Sequence, residues 1–177
     1  MDIDLFTDAP YNSINFDAID HYLRITFPYV DAPGGDLVGF GKSYYVGKDE
    51  LDAVKLDLYY TDFFIRDVII RTNLRLASTE EIVAMKIDIV ARDGRKKDFW
   101  DLHELLNQYN ISQMLSLHQE RYPYTHNPSL ILRNLIQFET ADNDFEPVCL
   151  NGKHWELIKL DLAEMMENFQ KDSWWIV

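Results

Sequence analysis

Glu81–Leu106 reads EIVAMKIDIVARDGRKKDFWDLHELL, two helices joined at a glycine. Ser78 and Glu81 have the spacing of a capping box, with the hydroxyl at N-cap and the carboxylate three residues on. Ile82, Met85, Ile89 and Val90 then recur at helical spacing, and Gly94 suits the C′ position that ends the first helix. Phe99, Leu102, Leu106 and Tyr109 give the second helix its apolar stripe. Five of the chain's 17 Lys and Arg residues (Lys86, Arg92, Arg95, Lys96 and Lys97) fall in this stretch, in a protein of net charge -13. Asp98 and Asp101 follow, three apart and so on one helix face. Basic residues at a helix C-terminus and acidic ones at the next N-terminus complement the two dipoles. The same arrangement, a cationic turn beside two aligned carboxylates, suits holding a phosphate and orienting a metal or a hydroxyl.

Outward from this stretch, 177 residues suggest one domain or a small domain with a helical extension. An apolar fraction of 47% and an aromatic fraction of 14% predict a folded chain. The one cysteine, Cys149, excludes an intrachain disulfide and fits a reducing compartment. The start MDIDLF has no basic flank or apolar run of a signal peptide, and no window approaches the ~20 apolar residues of a membrane span. These features predict a soluble cytoplasmic protein. Its acidity argues against broad non-specific binding to nucleic acid, while leaving room for RNA held locally at the basic turn or through metal-bound phosphate.

Asp2 and Asp4 alternate with Ile3 and Leu5. On a strand both carboxylates share a face about 7 Å apart, where a divalent cation fits between them; an arbitrary acidic terminus would instead fray. Asn15–Phe27 predicts a helix with Phe16, Ile19, Leu23 and Phe27 as its apolar face and Asn12, Ser13 or Asn15 as cap. Asp31–Asp36 is a turn. The following LVGFGKSYYVGK contains the letters GKS but not the earlier glycine of a phosphate loop, and it alternates like a strand. Val54–Tyr60, VKLDLYY, is the clearest strand: Val54, Leu56 and Leu58 share one face, Lys55, Asp57 and Tyr59 the other. Short strands are expected around Val68–Ile70 and Leu74–Leu76. Helices are expected over Ile111–Arg121 and from Pro128, capped by Asn127, through Phe138. His21, His103, His118, His126 and His154 form no zinc-like spacing with Cys149 and read as surface or partly packed rings; only His103, just after DFWD, stays under consideration. Trp155, Trp174 and Trp175 read as packing or tail residues, and an exposed WWIV end would be an apolar docking patch.

The segments DIDLF, VKLDLYY, AMKIDIVAR, KKDFWDL and LIQFETADNDFEPVCLNGKHWELIKLDLAEMM occur in the order of a known pattern. On them the chain resembles the AbiEii/AbiGii-type nucleotidyltransferase toxin family, which is similar to the polymerase β nucleotidyltransferase superfamily. The resemblance implies an α+β fold: a mixed β-sheet flanked by helices with a C-terminal helical bundle, divided here into a core over residues 1–77 and a helical region over 78–177. It implies that Asp2, Asp4 and Asp57 hold Mg²⁺, with Asp52 in the preceding turn as the weaker alternative to Asp57. It implies that Lys86, with Arg92 or Lys97, binds the phosphates of an NTP, and that Asp98 and Asp101 shape the site, one of them as general base. The implied reaction moves a nucleoside monophosphate from an NTP to an RNA or protein hydroxyl, and the implied partner is a cognate antitoxin.

The sequence departs from the family at its start. The Gly-Ser turn and Arg that precede the Asp-x-Asp pair are absent, as are the strand and helix that carry them. The expectation is therefore of an N-terminally shortened member with an open sheet edge, which invites a homodimer. The alternative to the enzyme is a shortened, inactive relative that serves as a binding or regulatory protein.

Overall fold

The computed structural model describes residues 2–33 and 40–173 of the chain. Trp174 and Trp175 of the apolar end, and the latter part of the Asp31–Asp36 turn, lie outside the described residues. Two compact units divide the chain, Met1–Phe63 and Phe64–Val177.

The first unit is a mixed sheet with one helix. Strand β1 (Asp2–Thr7), helix α1 (Phe16–Thr26), β2 (Tyr29–Asp31), β3 (Gly41–Gly47) and β4 (Ala53–Tyr60) follow in sequence. The sheet order is β1-β4-β3-β2, with β1 parallel to β4 and the other pairs antiparallel. Asn15 caps α1 by accepting the Ala18 N–H at 3.0 Å. Leu23 of α1 packs on Tyr44 and Val46, with Ile19, Val30, Leu56 and Leu58 around them. Period-2 alternation assigns the even positions of β4 to this apolar face and Lys55, Asp57 and Tyr59 to the other. The GKS letters belong to β3. Gly41 lacks a side chain because a Cβ there would lie 2.2 Å from the Tyr59 ring and 2.3 Å from the Leu58 carbonyl oxygen.

The second unit begins with a hairpin, β5 (Ile69–Arg71) and β6 (Leu74–Leu76), paired antiparallel. Helices α2 (Thr79–Ala91), α3 (Lys96–Leu105), α4 (Ile111–Arg121), α5 (Pro128–Asn134), α6 (Glu139–Asp142) and α7 (Trp155–Ser173) complete it. The expected helix through Phe138 thus breaks after Asn134. Its core joins Val83, Ile87, Val90, Phe99, Leu102, Met114, Ile131, Leu135, Ile158 and Leu162. Trp155 stacks on Trp100 at 5.5 Å and meets Phe99 and Phe138 edge-on, so it is a packing residue as expected.

Several local expectations are corrected. The buried face of α2 is Val83, Ala84, Ile87, Val90 and Ala91, whereas Ile82 and Ile89 are exposed. That helix is apolar nearly all round, so its periodicity does not single out a face. On α3, Trp100 and Leu105 are buried with Phe99 and Leu102, while Leu106 and Tyr109 only border the core. Only half of the capping box forms: Ser78 Oγ accepts the Glu81 N–H at 3.2 Å. The Glu81 carboxylate is instead buried, accepting the Ile65 N–H at 2.8 Å and pairing with Arg121 at 2.6 Å. Asp93, not Gly94, takes the left-handed conformation after α2 (φ 63°). Gly94 is needed for space, since a Cβ would sit 3.0 Å from Val90 Cα. His118 is buried rather than at the surface; its Nδ1 lies 2.9 Å from His126 Nδ1 and its Nε2 3.5 Å from Asp88.

The Glu81–Arg121 pair yields a stability prediction. Truncating one partner of a buried pair leaves a desolvated charge and costs on the order of 3–5 kcal/mol. Glu81→Ala should therefore lower the melting temperature by roughly 6–20 °C, at about 2–4 °C per kcal/mol. Calorimetry showing a fall of under about 2 °C would mean that Arg121 is readily resolvated.

Candidate active site

The first unit carries an acidic patch on the sheet face away from α1. Parallel pairing sets Asp4 opposite Asp57 and Asp2 opposite Lys55, while β3 sets Ser43 opposite Asp57. Asp57 is only 8% exposed, and its neighbours on this face close around it. Lys55 Nζ reaches two residues forward to Asp57 Oδ2 at 2.5 Å. The Tyr59 ring lies over Gly41, and its hydroxyl meets Ser43 Oγ at 3.1 Å. Burial pushes the Asp57 carboxyl up, but hydrogen bonds and charge from Lys55, with Ser43 and Asp4, outweigh it and hold Asp57 below the usual carboxylate range. Asp57 Oδ1 is buried and finds no hydrogen-bond partner.

An orphaned anionic oxygen beside a second carboxylate in register is a donor set for a hard divalent cation. Magnesium commonly uses one or two carboxylates and completes its shell with water and substrate phosphate. Asp4 and Asp57 fit that pattern. Among the described residues, no three His, Cys, Asp or Glu side chains converge on one metal-sized point; Asp2 lies one strand repeat further along, beside Lys55. Asp52 is elsewhere, in a 3-10 turn after Asp49. It borders an apolar groove of about 550 Å³ lined by Ile3, Phe27, Val46, Val54 and Leu56. The register puts those β-strand residues on the α1 side of the sheet, so this groove is not where the carboxylates meet.

The second unit brings Lys86, Asp98 and Asp101 together. Lys86 Nζ of α2 lies 2.9 Å from Asp98 Oδ1 and 2.6 Å from Asp101 Oδ2. Asp98 is buried, and its second oxygen accepts the Arg95 N–H at 3.1 Å, closing the start of α3. Both Asp98 oxygens are thus engaged within the fold. Asp101, three residues on, has a half-exposed side chain. Burial alone would lower the Lys86 pKa; Asp101 and Asp98 outweigh it and raise it, so the ammonium stays charged.

Arg92 does not join this cluster. It turns back on its own helix to pair with Asp88, about 120° around α2 from Lys86 at 3.6 residues per turn. Lys97 borders a cavity of about 200 Å³ with Trp100, Asp101 and Cys149. His103 serves a separate network: Nε2 meets Asp161 at 2.8 Å, and Nδ1 accepts from Lys153 Nζ at 2.9 Å. Sequence reasoning missed Lys55 and Ser43. Lys55 was legible, being two residues from Asp57 on one strand face, but Ser43 depends on a pairing register that one sequence does not display.

The α+β fold, a mixed four-stranded sheet and a run of helices, is of the nucleotidyltransferase-like class. The chain belongs to the nucleotidyl transferase AbiEii toxin family of type IV toxin–antitoxin systems, whose model matches residues 1–176. Family membership gives the coarse function, a nucleotidyltransferase toxin, and points to a cognate antitoxin. The fold is similar to the crystal structure of JHP933 from Helicobacter pylori, with a TM-score of 0.55 and 20% identity over 97% of this chain and 75% of that one. A candidate nucleotidyltransferase from H. pylori is similar at a TM-score of 0.54 and 19% identity, over 97% and 78% of the two chains. No curated protein matches the chain. Among the described residues, no helix is long and apolar enough to cross a membrane.

The raised Lys86 pKa has a testable sign. Its contribution to stability is full below the unfolded value, about 10.4, and is lost as pH rises through the higher folded value. The stability gap between wild type and Lys86→Met should be constant from about pH 7 to pH 10 and close above that. Tryptophan fluorescence in urea reads it, since all four tryptophans follow residue 64. A gap already closing near pH 8 would show that Lys86 loses its proton early.

Proposed function

We propose that this chain is a Mg²⁺-dependent nucleotidyltransferase that moves a nucleoside monophosphate from an NTP to an RNA or protein hydroxyl, as the toxin of a toxin–antitoxin pair. The observation that carries the reading is the buried, unpartnered Asp57 Oδ1 with Asp4 in register beside it. In this reading Asp4 and Asp57, with Asp2 along the same strand, hold Mg²⁺. The ion would supply charge neutralisation of the triphosphate and activation of the acceptor hydroxyl, as in two-metal phosphoryl chemistry. Lys55 keeps Asp57 ionised until the cation replaces it.

Lys86 offsets phosphate charge, assisted by Lys97; the Arg92–Asp88 pairing leaves Arg92 the weaker candidate. Asp98 is a positioning residue, since one oxygen anchors Lys86 and the other caps α3. Asp101, half-exposed and held by Lys86, is the carboxylate that can take a proton from an incoming hydroxyl.

One observation favours a second reading. Lys55 already neutralises Asp57, and the described residues contain no three-ligand cluster, which suits an inactive relative that binds a partner. Transfer of label from α-³²P-NTPs to RNA or protein in the presence of Mg²⁺ separates the two. The enzyme reading predicts labelling that falls at least about 100-fold in Asp57→Ala and in Lys86→Ala, the scale of losing an electrostatic stabiliser. It also predicts growth arrest on expression that both variants relieve. Full transfer by Asp57→Ala would overturn the metal assignment. No labelling and no arrest by wild type would favour the binding protein.

A further inference from the structure

Helix α4 ends at Arg121, and residues 122–127 turn the chain into α5. The Thr125 and His126 N–H groups donate to the Tyr122 carbonyl at 3.2 and 2.9 Å. This turn folds the His126 ring back over His118, with ring centroids 5.1 Å apart. His118 is 1% exposed. Its Nδ1 lies 2.9 Å from His126 Nδ1, and its Nε2 faces Asp88 Oδ1 of α2 at 3.5 Å.

A hydrogen bond between two ring nitrogens holds one proton. The two rings have four nitrogens between them. With one proton on His118 Nε2, facing Asp88, and one on His126 Nδ1, His126 donates to His118 and both rings are neutral. A third proton makes one ring a cation and still leaves a single hydrogen between the rings; the Asp88 carboxylate favours that charge. A fourth puts N–H groups on both facing nitrogens and sets two cations side by side, so the contact breaks. The other titratable groups around the pair do not relieve this. Arg92 pairs with Asp88 and shares its charge. Arg121 is bound to Glu81 and lies over the Tyr122 ring at 5.2 Å. Tyr122, whose ring centroid is 5.1 Å from that of His118, stays a neutral phenol because burial outweighs Arg121 and raises its pKa.

We infer that His118 and His126 form an acid-sensitive latch, which holds the α4–α5 turn closed while a single proton lies between the rings and releases it when both rings are fully protonated. Burial and the neighbouring His118 hold His126 below the usual histidine range. The stability that the closed pair contributes is therefore full above the unfolded value, about 6.5, and is lost as pH falls through the lower folded value. The inference does not depend on the nucleotidyltransfer reading, since it uses neither the Asp4–Asp57 pair nor Lys86.

The test titrates the full chain by NMR of the imidazole nitrogens and follows hydrogen exchange of the turn. His118 and His126 should titrate as a coupled pair, in two steps at least about one pH unit apart. Exchange protection of residues 123–127, corrected for intrinsic rate, should fall at least about tenfold between about pH 7 and about pH 5. The stability advantage of wild type over His126→Gln, provided that the variant is folded by near-ultraviolet dichroism, should shrink over the same interval. Two rings that titrate in independent single steps, turn protection that stays constant, or a stability advantage that stays constant would each overturn the proposal. If His126→Gln does not fold, the two wild-type measurements decide.

Discussion

The register of β1 against β4 is the constraint on which the first unit depends. Side chains alternate along a strand, so a slip of one residue would turn Asp2 and Asp4 inward and Ile3 and Leu5 outward. The observed register sets Asp4 against Asp57 and Ile3 against Leu56, keeping carboxylates with carboxylates and aliphatics with the α1 side. Two anions side by side repel, and the protein offsets that repulsion with Lys55 rather than by separating them. A sheet with such a face bears the cost of a buried oxygen with no partner, and a cation supplied from outside would remove that cost.

In the second unit the same device appears with the charges reversed. Lys86 is the cation drawn away from water, and Asp98 and Asp101 hold it in place. Asp98 also closes the first turn of α3, so a single carboxylate fixes the start of one helix and a side chain of another. Its exposed neighbour Asp101 is the member that solvent can reach. The cluster is acidic by one charge when all three groups are ionised, so a cation rather than an anion would complete its charge balance.

Much of this was legible in the sequence. The alternation in VKLDLYY and DIDLF placed Asp57 and Asp4 on strand faces, and the three-residue spacing of Asp98 and Asp101 placed them on one side of a helix. The GKS letters were correctly read as strand. The resemblance named the family that the match over residues 1–176 establishes. What escaped was tertiary. The apolar run of α2 has no polar side to orient it, so packing against other helices chose Val83 and Ile87 over Ile82 and Ile89. Glu81 looked like a capping residue because the residue it meets, Arg121, is forty positions away.

Thermal stability in the presence of Mg²⁺ and each NTP, on wild type and on Asp57→Ala, tests the central claim most directly. A ligand at a hundred times its Kd adds about 2.7 kcal/mol, or roughly 5–10 °C in a chain of this length. The account predicts a rise that requires both Mg²⁺ and an NTP and that disappears in Asp57→Ala. A rise of equal size in Asp57→Ala, or none in wild type with any NTP at millimolar concentration, would contradict it.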